Sequence, residues 1–295
     1  MKLSIIVIFY NMQREAMRTL YSLSTAHQQG VAAEDYEIIA IDNGSSRPLD
    51  PGTVANFGPN FRYHFHETTS VSPVGAVNLG AGMARGDALA VIVDGARMAS
   101  PGLVHWSLAA LRLNASAFVC SLSWHLGPDI QQRSILQGYD QAREDALLDD
   151  SNWQTDGYRL FGISTIAPSS GVGFLGGFPT ECSWFCMART AFHGLGGFNP
   201  AFQSPGGGQC NHEFRNRALE HPDMIPTMLL GEGVFHQVHG GTATNARPEQ
   251  LPFDLYREEY RRIFGTDLPD FQPSDVIYLG HMCDTARRFV LPKRT

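Results

Sequence analysis

The sequence lacks the features of two large classes of protein. It has no run of basic residues, and its 22 Lys and Arg are outnumbered by 29 Asp and Glu, for a net charge of -7. Nucleic-acid-binding proteins usually carry clustered basic side chains, so no nucleic-acid partner is expected. No segment approaches the roughly 20 apolar residues that span a bilayer, so membrane contact is expected to be peripheral at most. The first residues, MKLSIIVIFYNM, lack a signal-peptide cleavage site and are expected to form a strand.

Cysteine is also scarce. The five cysteines are odd in number and form no C-x-x-C pair. A chain of 295 residues can bury a sizeable core without disulfide bonds. We therefore expect buried free thiols and a cytoplasmic protein, with any membrane contact at the inner face of the membrane.

Strand and helix patterns alternate through the first part of the chain. Apolar, β-branched runs predict strands over residues 3–9, 36–41, 61–65, 88–93 and 117–122. Helix patterns separate them, and two of these begin at the Ser-Pro pairs 72–73 and 100–101. Continuous apolar strands with helical crossovers predict an α/β fold: a mostly parallel central sheet with helices on both faces.

The pattern is looser in the second half of the chain. Residues 168–179 are rich in Gly, Ser and Pro and predict a long functional loop. Further strands are predicted over 181–187, 225–230 and 233–238, and helices from about 211 and over 256–264. These last residues predict a C-terminal helical extension.

Polar residues follow the predicted strands where a ligand would bind. The first strand ends in Phe9 and Asn11, the second in Asp42 and the fourth in Asp94. In an open α/β sheet, ligands bind beyond the carboxyl ends of the strands. A carboxylate there can accept hydrogen bonds from a ribose hydroxyl or a base N–H, so these residues indicate a nucleotide.

Two common phosphate-binding loops are absent from the sequence. The turn after the first strand, residues 11–15, has no glycine, which argues against a dinucleotide fingerprint. No G-x-x-x-x-G-K-[ST] sequence occurs, which excludes a P-loop. A bound diphosphate would therefore need a cation, either a metal on Asp94 or the side chain of Arg97 or Arg85.

Four segments together resemble the family 2 glycosyltransferases of GT-A fold. They are LSIIVIFYNMQREAMRTLYSL, EIIAIDNGSS, NLGAGMARGDALAVIVDGA and GLGGFNPAF, and the resemblance extends over residues 2–245. It implies transfer of a sugar from a nucleotide donor, usually with inversion, to a glycan or lipid-linked acceptor. It also implies that Phe9, Asn11 and Asp42 hold the base and ribose, and that Asp94 serves a divalent metal on the diphosphate.

The resemblance also suggests how the chain is organised. Residues 1–125 would form the nucleotide-sugar-binding half of a Rossmann-like GT-A domain. Residues 126–247 would form its acceptor-binding and catalytic half, and residues 248–295 the helical extension. The donor nucleotide, UDP, GDP or dTDP, is left open.

The chain departs from the family pattern at the metal site. The family's D-x-D is Asp94-Gly95-Ala96 here, so the second acid is missing. His236 and His239, in GEGVFHQVHGG, occupy the family's usual place for a ligand, and at least one of them is expected to bind the metal. Mixed oxygen and nitrogen ligands favour Mn²⁺ slightly over Mg²⁺. If neither histidine binds, Arg97 is the expected phosphate partner.

A second departure concerns the catalytic base. The family's Glu-Asp pair aligns with Gln209 and Cys210, and the nearest acid is Glu213. An inverting transfer needs a base for the acceptor hydroxyl, and Glu213 is the predicted base. Glu181 is its competitor and, with Trp184, a candidate for acceptor contacts. Two hypotheses follow: an active inverting transferase, or a degenerate GT-A domain that binds a nucleotide sugar or glycan without turnover.

Overall fold

The computed structural model describes residues 2–171, 173–240 and 252–290. The strands are β1 Leu3–Phe9, β2 Tyr36–Asn43, β3 Phe61–His66, β4 Ala88–Ile92, β5 Arg97–Ala99, β6 Ala117–Leu126, β7 Ser164–Ile166, β8 Phe185–Ala188, β9 Ile225–His236 and β10 Ile277–Gly280. The α-helices are α1 Gln13–Leu23, α2 Pro51–Ala55, α3 Val74–Met83, α4 Leu103–Leu113, α5 Gln131–Leu136, α6 Gln141–Ser151, α7 Arg189–Gly194, α8 Cys210–Leu219 and α9 Phe253–Phe264.

The strands form one sheet in the order β10-β9-β6-β8-β4-β1-β2-β3. Neighbours in this order are parallel, except that β8 runs antiparallel to both β4 and β6. Successive residues of β1 alternate between two apolar clusters: Ile6 and Ile8 belong to one, Ile5 and Val7 to the other. The sheet is therefore covered on both faces, and the predicted mostly parallel α/β fold is confirmed.

The structure corrects the second half of the predicted strand pattern. The strands predicted over 225–230 and 233–238 form the single strand β9, which has an irregularity where its pairing with β6 shifts register. Gly231 lies within it at φ 73°, a conformation that glycine adopts without a steric penalty. Beyond this point β9 pairs antiparallel with β5, with Arg97 opposite His236. The short strand β5 was not predicted.

Two element boundaries also differ from the prediction. Helix α4 begins at Leu103, not at the Ser-Pro pair, because residues 97–99 form β5 and the chain turns before the helix. Strand β8 begins at Phe185, so Glu181 lies in the loop before it and not on a strand. This loop position leaves Glu181 outside the hydrogen-bonded sheet.

The C-terminal part of the chain packs on the rest of the molecule. Its predicted helix is present as α9, and β10 adds a parallel strand beside β9. The ring of Phe289 lies 5.4 Å from that of Trp124 in the core. The predicted boundary at residues 247 and 248 lies outside the described residues. No α-helix in the described part of the chain is both long and apolar enough to cross a membrane, and all five cysteines are free.

Candidate functional site

A cavity of about 910 Å³ opens beyond the carboxyl ends of β1 and β4. It lies where the topology of an open α/β sheet places ligands. Six of the predicted site residues line it: Phe9, Asn11, Asp94, Arg97, Glu181 and His239. His236 is fully buried directly beneath this surface, in contact with Asp94.

The turn after β4 presents Asp94 to the cavity. Asp94 Oδ1 accepts a hydrogen bond from the backbone of Ala96 at 3.1 Å, and the N–H of Gly95 donates to Ile8 at 2.7 Å. A Cβ on Gly95 would lie 2.3 Å from the ring of Phe9, so the close approach to β1 requires glycine. The side chain of Ala96 is fully buried in the core. The position of the missing second acid therefore faces the core.

Asp94, His236 and His239 converge on one point. Asp94 Oδ2 lies 2.7 Å from His236 Nε2 and 3.5 Å from His239 Nε2, and the two nitrogens are 3.1 Å apart. The prediction required only one of the histidines to face Asp94. Both do so: His236 is the last residue of β9, and the chain bends at His239, three residues later.

The protonation of this cluster favours a cation. Burial lowers the pKa of His236 to about 4, so its imidazole is neutral. Its Nδ1 lies 2.6 Å from the amide oxygen of Gln131 and must carry the hydrogen, because that oxygen only accepts. The lone pair of Nε2 therefore faces the carboxylate of Asp94. The Asp94 carboxylate and this nitrogen, 2.7 Å apart, form an O/N donor set of the kind that fits Mn²⁺ or Mg²⁺.

Asp94 and His239 also respond to each other's charge. Burial alone would raise the pKa of Asp94, but the charge of His239 beside it holds that pKa well below its usual value. Burial lowers the pKa of His239, yet the Asp94 carboxylate raises it above its usual value overall. A metal bound here would need the neutral form of His239, because metal ligands must be deprotonated.

Helices α1 and α6 hold the backbone between the two histidines. The N–H of Val238 donates to Glu144 on α6 at 2.8 Å, and its carbonyl accepts from Arg14 on α1 at 3.2 Å. The side-chain amide of Gln237 donates to the carbonyl of Glu15 at 3.1 Å. These contacts explain why both imidazoles are directed at Asp94.

Arg97 supplies positive charge at the same end of the cavity. It is buried on β5, and its Nη1 donates to the hydroxyl of Ser123 at 2.7 Å. Its Nη2 lies 3.9 Å from Asp94 Oδ2. The guanidinium therefore stands beside the Asp94 cluster, where a diphosphate would need a cation.

Asn11 and Asp42 shape one loop beside the cavity. Asp42 is buried, and its two oxygens accept the N–H groups of Ser45 and Leu49 at 2.9 and 3.0 Å. Asn11, at φ 52°, lines the cavity, and its Oδ1 accepts from the backbone N–H of Arg47 at 3.2 Å. Asp42 thus acts on the cavity through the loop of residues 44–49 and does not itself line the cavity.

The two candidate bases lie in different environments. Glu181 lines the cavity, half-buried, and its carboxylate accepts no hydrogen bond from the described residues. Glu213 is buried in the first turn of α8, and its two oxygens pair with Arg217 at 2.7 and 3.0 Å. Arg217 also binds the carbonyl of Gly197, at 2.8 Å. Glu213 therefore joins α8 to the turn after α7 and is not brought to the cavity.

Trp184 lies in the core. Its side chain is fully buried, and its indole N–H donates to the hydroxyl of Ser107 on α4 at 3.1 Å. A side chain in this position cannot contact an acceptor in the cavity. It lies just before β8, within one of the two apolar clusters that cover the sheet.

Several residues that line the cavity were not predicted. His125 is the second-to-last residue of β6, and Asn43 follows Asp42 directly at the end of β2. The rule that ligands bind at strand ends could have found both, had β6 been predicted to its full length. Tyr256 and Arg257 come from α9, and no sequence signal connects that helix to the site.

The comparisons with known proteins concern both sequence and fold. Residues 4–95 match the sequence model of the family described as Glycosyl transferase family 2. No curated protein matches the chain in sequence. Both the resemblance to family 2 glycosyltransferases and the GT-A fold class predicted from the sequence are confirmed.

Solved structures of S. aureus TarS share the fold. One superposes with a TM-score of 0.53 at 17% identity, and the match covers 92% of this chain and 41% of that TarS chain. TarS 1-349 in complex with UDP-GlcNAc superposes with a TM-score of 0.53 at 17% identity, and the match covers 92% of this chain and 68% of that one. TarS 1-349 in complex with UDP superposes with a TM-score of 0.50 at 16% identity, and the match covers 81% of this chain and 61% of that one. At these identities the likeness is one of fold.

Proposed function

We propose that this chain, whose residues 4–95 match the sequence model of glycosyl transferase family 2, transfers a sugar from a nucleotide diphosphate to a glycan or lipid-linked acceptor, with inversion. One observation carries the proposal. Asp94, His236 and His239 gather their ligand atoms within 4.8 Å of one another, beside Arg97, at the carboxyl edge of the sheet. This is a site for a cation and a diphosphate, with Glu181 in the same cavity.

Each part of the cavity has a task in this reaction. Asp94, His236 and His239 would hold a divalent cation, which neutralises charge on the departing diphosphate. Arg97 adds a fixed positive charge beside them. The exposed ring of Tyr10 and the backbone around Asn11 line one end of the cavity, where the base of the donor can stack on the tyrosine ring.

We assign the base to Glu181 in preference to Glu213. Glu181 accepts the proton of the acceptor hydroxyl as the hydroxyl oxygen bonds to C1 of the sugar. The C1–O bond to the diphosphate breaks on the opposite face, which inverts the configuration. The support is positional: Asp94 and Glu181 are the carboxylates among the described lining residues, whereas Glu213 is engaged by Arg217.

A panel of donors tests the proposal. The full chain is incubated with UDP-, GDP- and dTDP-sugars and Mn²⁺, and donor binding and nucleoside diphosphate release are measured. UDP-sugars come first, because TarS 1-349 is solved with UDP-GlcNAc. We expect Mn²⁺-dependent binding and release with one donor class, lost in Asp94→Asn. Asp87→Asn, an exposed acid just before β4, is the matched control.

Two other results have distinct meanings. Metal-dependent binding without release, with or without acceptor glycans, would favour the degenerate domain, which the Gln209-Cys210 pair motivates. No binding of any donor would refute the proposal for these nucleotides.

A further inference from the structure

We propose that Gln131 is a positioning residue that fixes opposite tautomers on two histidines, making His236 Nε2 a metal ligand and His125 Nε2–H a hydrogen-bond donor to an anionic oxygen in the cavity. The metal and diphosphate in this inference rest on the proposed function. The tautomers themselves follow from hydrogen bonds within the chain.

The two histidines are neighbours across the sheet. His125 on β6 pairs with His236 on β9, and their ring centroids are 5.6 Å apart. Gln131, the fully buried first residue of α5, contacts both. Each ring meets Gln131 through its Nδ1, so the partner of Nδ1 decides which ring nitrogen carries the hydrogen.

The side chain of Gln131 sets the tautomer of His236. Its amide nitrogen donates to the backbone carbonyl of His236 at 3.3 Å, which orients the amide so that its oxygen faces the ring. That oxygen lies 2.6 Å from His236 Nδ1, which must therefore donate. The Nε2 lone pair is left for the cation site shared with Asp94.

The backbone of Gln131 sets the tautomer of His125. The first N–H groups of a helix have no partner within it, and the N–H of Gln131 donates to His125 Nδ1 at 2.9 Å. Since Nδ1 accepts, the hydrogen of His125 is on Nε2. His125 lines the cavity, and within the described ranges no residue accepts that hydrogen. A diphosphate oxygen is the acceptor that the proposed reaction brings to this position.

Histidine ¹⁵N spectra and metal titration test the inference. In the full chain without metal, long-range ¹H–¹⁵N correlations should show His236 protonated at Nδ1 and His125 at Nε2. Gln131→Leu removes the side-chain acceptor but keeps the backbone donor. We therefore expect His236 to lose its single Nδ1–H form, His125 to keep Nε2–H, and Mn²⁺ affinity to fall about 10- to 100-fold.

The controls separate this inference from the proposed function. Gln137→Leu, on an exposed residue after α5, should change neither the histidine ¹⁵N spectra nor the Mn²⁺ affinity. Gln131→Met repeats the test if the near-UV circular dichroism shows that Gln131→Leu disturbs the fold. An unchanged His236 tautomer in both Gln131 variants would overturn the inference, as would the same tautomer on both histidines of the unmodified chain. Equal Mn²⁺ binding by the unmodified chain and Asp94→Asn would instead refute the proposed metal site, while the spectra still decide the role of Gln131.

Discussion

The carboxylate of Asp94 lies among two imidazoles and one guanidinium, although its partner in the sequence pattern, Ala96, is an alanine. The structure explains this combination, because the side chain of Ala96 is buried in the core. The histidines that complete the cluster lie at and just after the end of β9, more than a hundred residues along the chain. A motif with one acid missing can therefore still belong to a cluster of three residues that could hold a metal ion.

The choice between Glu181 and Glu213 predicts opposite effects at the residue scale. Glu181→Gln removes a proton acceptor from the cavity, so kcat should fall about 10²- to 10⁴-fold with little change in stability. Glu213→Gln weakens the ion pair with Arg217, so the free energy of unfolding should fall by about 1–3 kcal/mol while kcat stays the same. Steady-state kinetics and urea unfolding of both variants check this. The reverse pattern would return the base to Glu213.

Gly95 should tolerate no side chain. Gly95→Ala places a Cβ 2.3 Å from the Phe9 ring and 2.6 Å from the carbonyl oxygen of Ile8. We therefore expect the free energy of unfolding to fall by about 1–3 kcal/mol. We also expect weaker Mn²⁺ binding, because Asp94 would be displaced. Gly82→Ala is the matched control, because nothing lies within 4 Å of a Cβ there. In helix α3 it should stabilise by about 0.5–1 kcal/mol. Equal effects in urea unfolding would contradict the packing argument.

At the scale of elements, the pairing of β5 with the end of β9 builds the site. This pairing aligns Arg97 with His236 across two short stretches of antiparallel strand. Helix α1 supports the arrangement: the hydroxyl of Thr19 donates to the carbonyl of Gly95 at 2.7 Å. Of the two strands in this pairing, only β5 was not predicted from the sequence.

The junction of α1 and β5 should make stability depend on pH. His27, just after α1, lies 3.0 Å from the carbonyl of Ala99 on β5, and burial lowers its pKa to about 4 from 6.5. As pH falls through this window, the unfolded chain binds a proton that the folded chain does not, so stability falls. Between pH 7 and pH 5, the titration of His27 should lower the free energy of unfolding by about 2 kcal/mol.

A substitution isolates this contribution. Urea unfolding of His27→Gln should show a smaller loss between pH 7 and pH 5 than the unmodified chain. His193→Gln, an exposed histidine on α7, should keep the full loss. Identical pH profiles for His27→Gln and the unmodified chain would mean that His27 is not the titrating group.

At the scale of the whole molecule, the C-terminal part belongs to the same core as the sheet. The N–H of Phe174 donates to the carbonyl of Phe289 at 2.8 Å. The hydroxyl of Thr285 donates to the backbone carbonyl of Tyr158, also at 2.8 Å. Helix α9 also brings Tyr256 to the cavity wall. We therefore expect residues 252–290 to unfold together with the rest of the protein.

Calorimetry of Phe289→Ala tests this cooperativity. The half-buried ring packs on Trp124 and Phe161, so its removal should cost about 2 kcal/mol and shift one common unfolding transition. Leu113→Ala, a side chain 75% exposed, should change stability by no more than about 0.5 kcal/mol. A separate transition that alone responds to Phe289→Ala would instead indicate an independent extension.

The amino-acid sequence by itself determined the sheet, its parallel strands and the edge at which Asp94 and Asn11 lie. These features depend on local periodicity and on one topological rule, which a single sequence contains. Only the tertiary structure decided that both His236 and His239 face Asp94, that Glu213 is engaged by Arg217, and that Trp184 is buried. Those outcomes depend on contacts between segments far apart in the chain, and no local pattern records which distant side chain satisfies a buried charge.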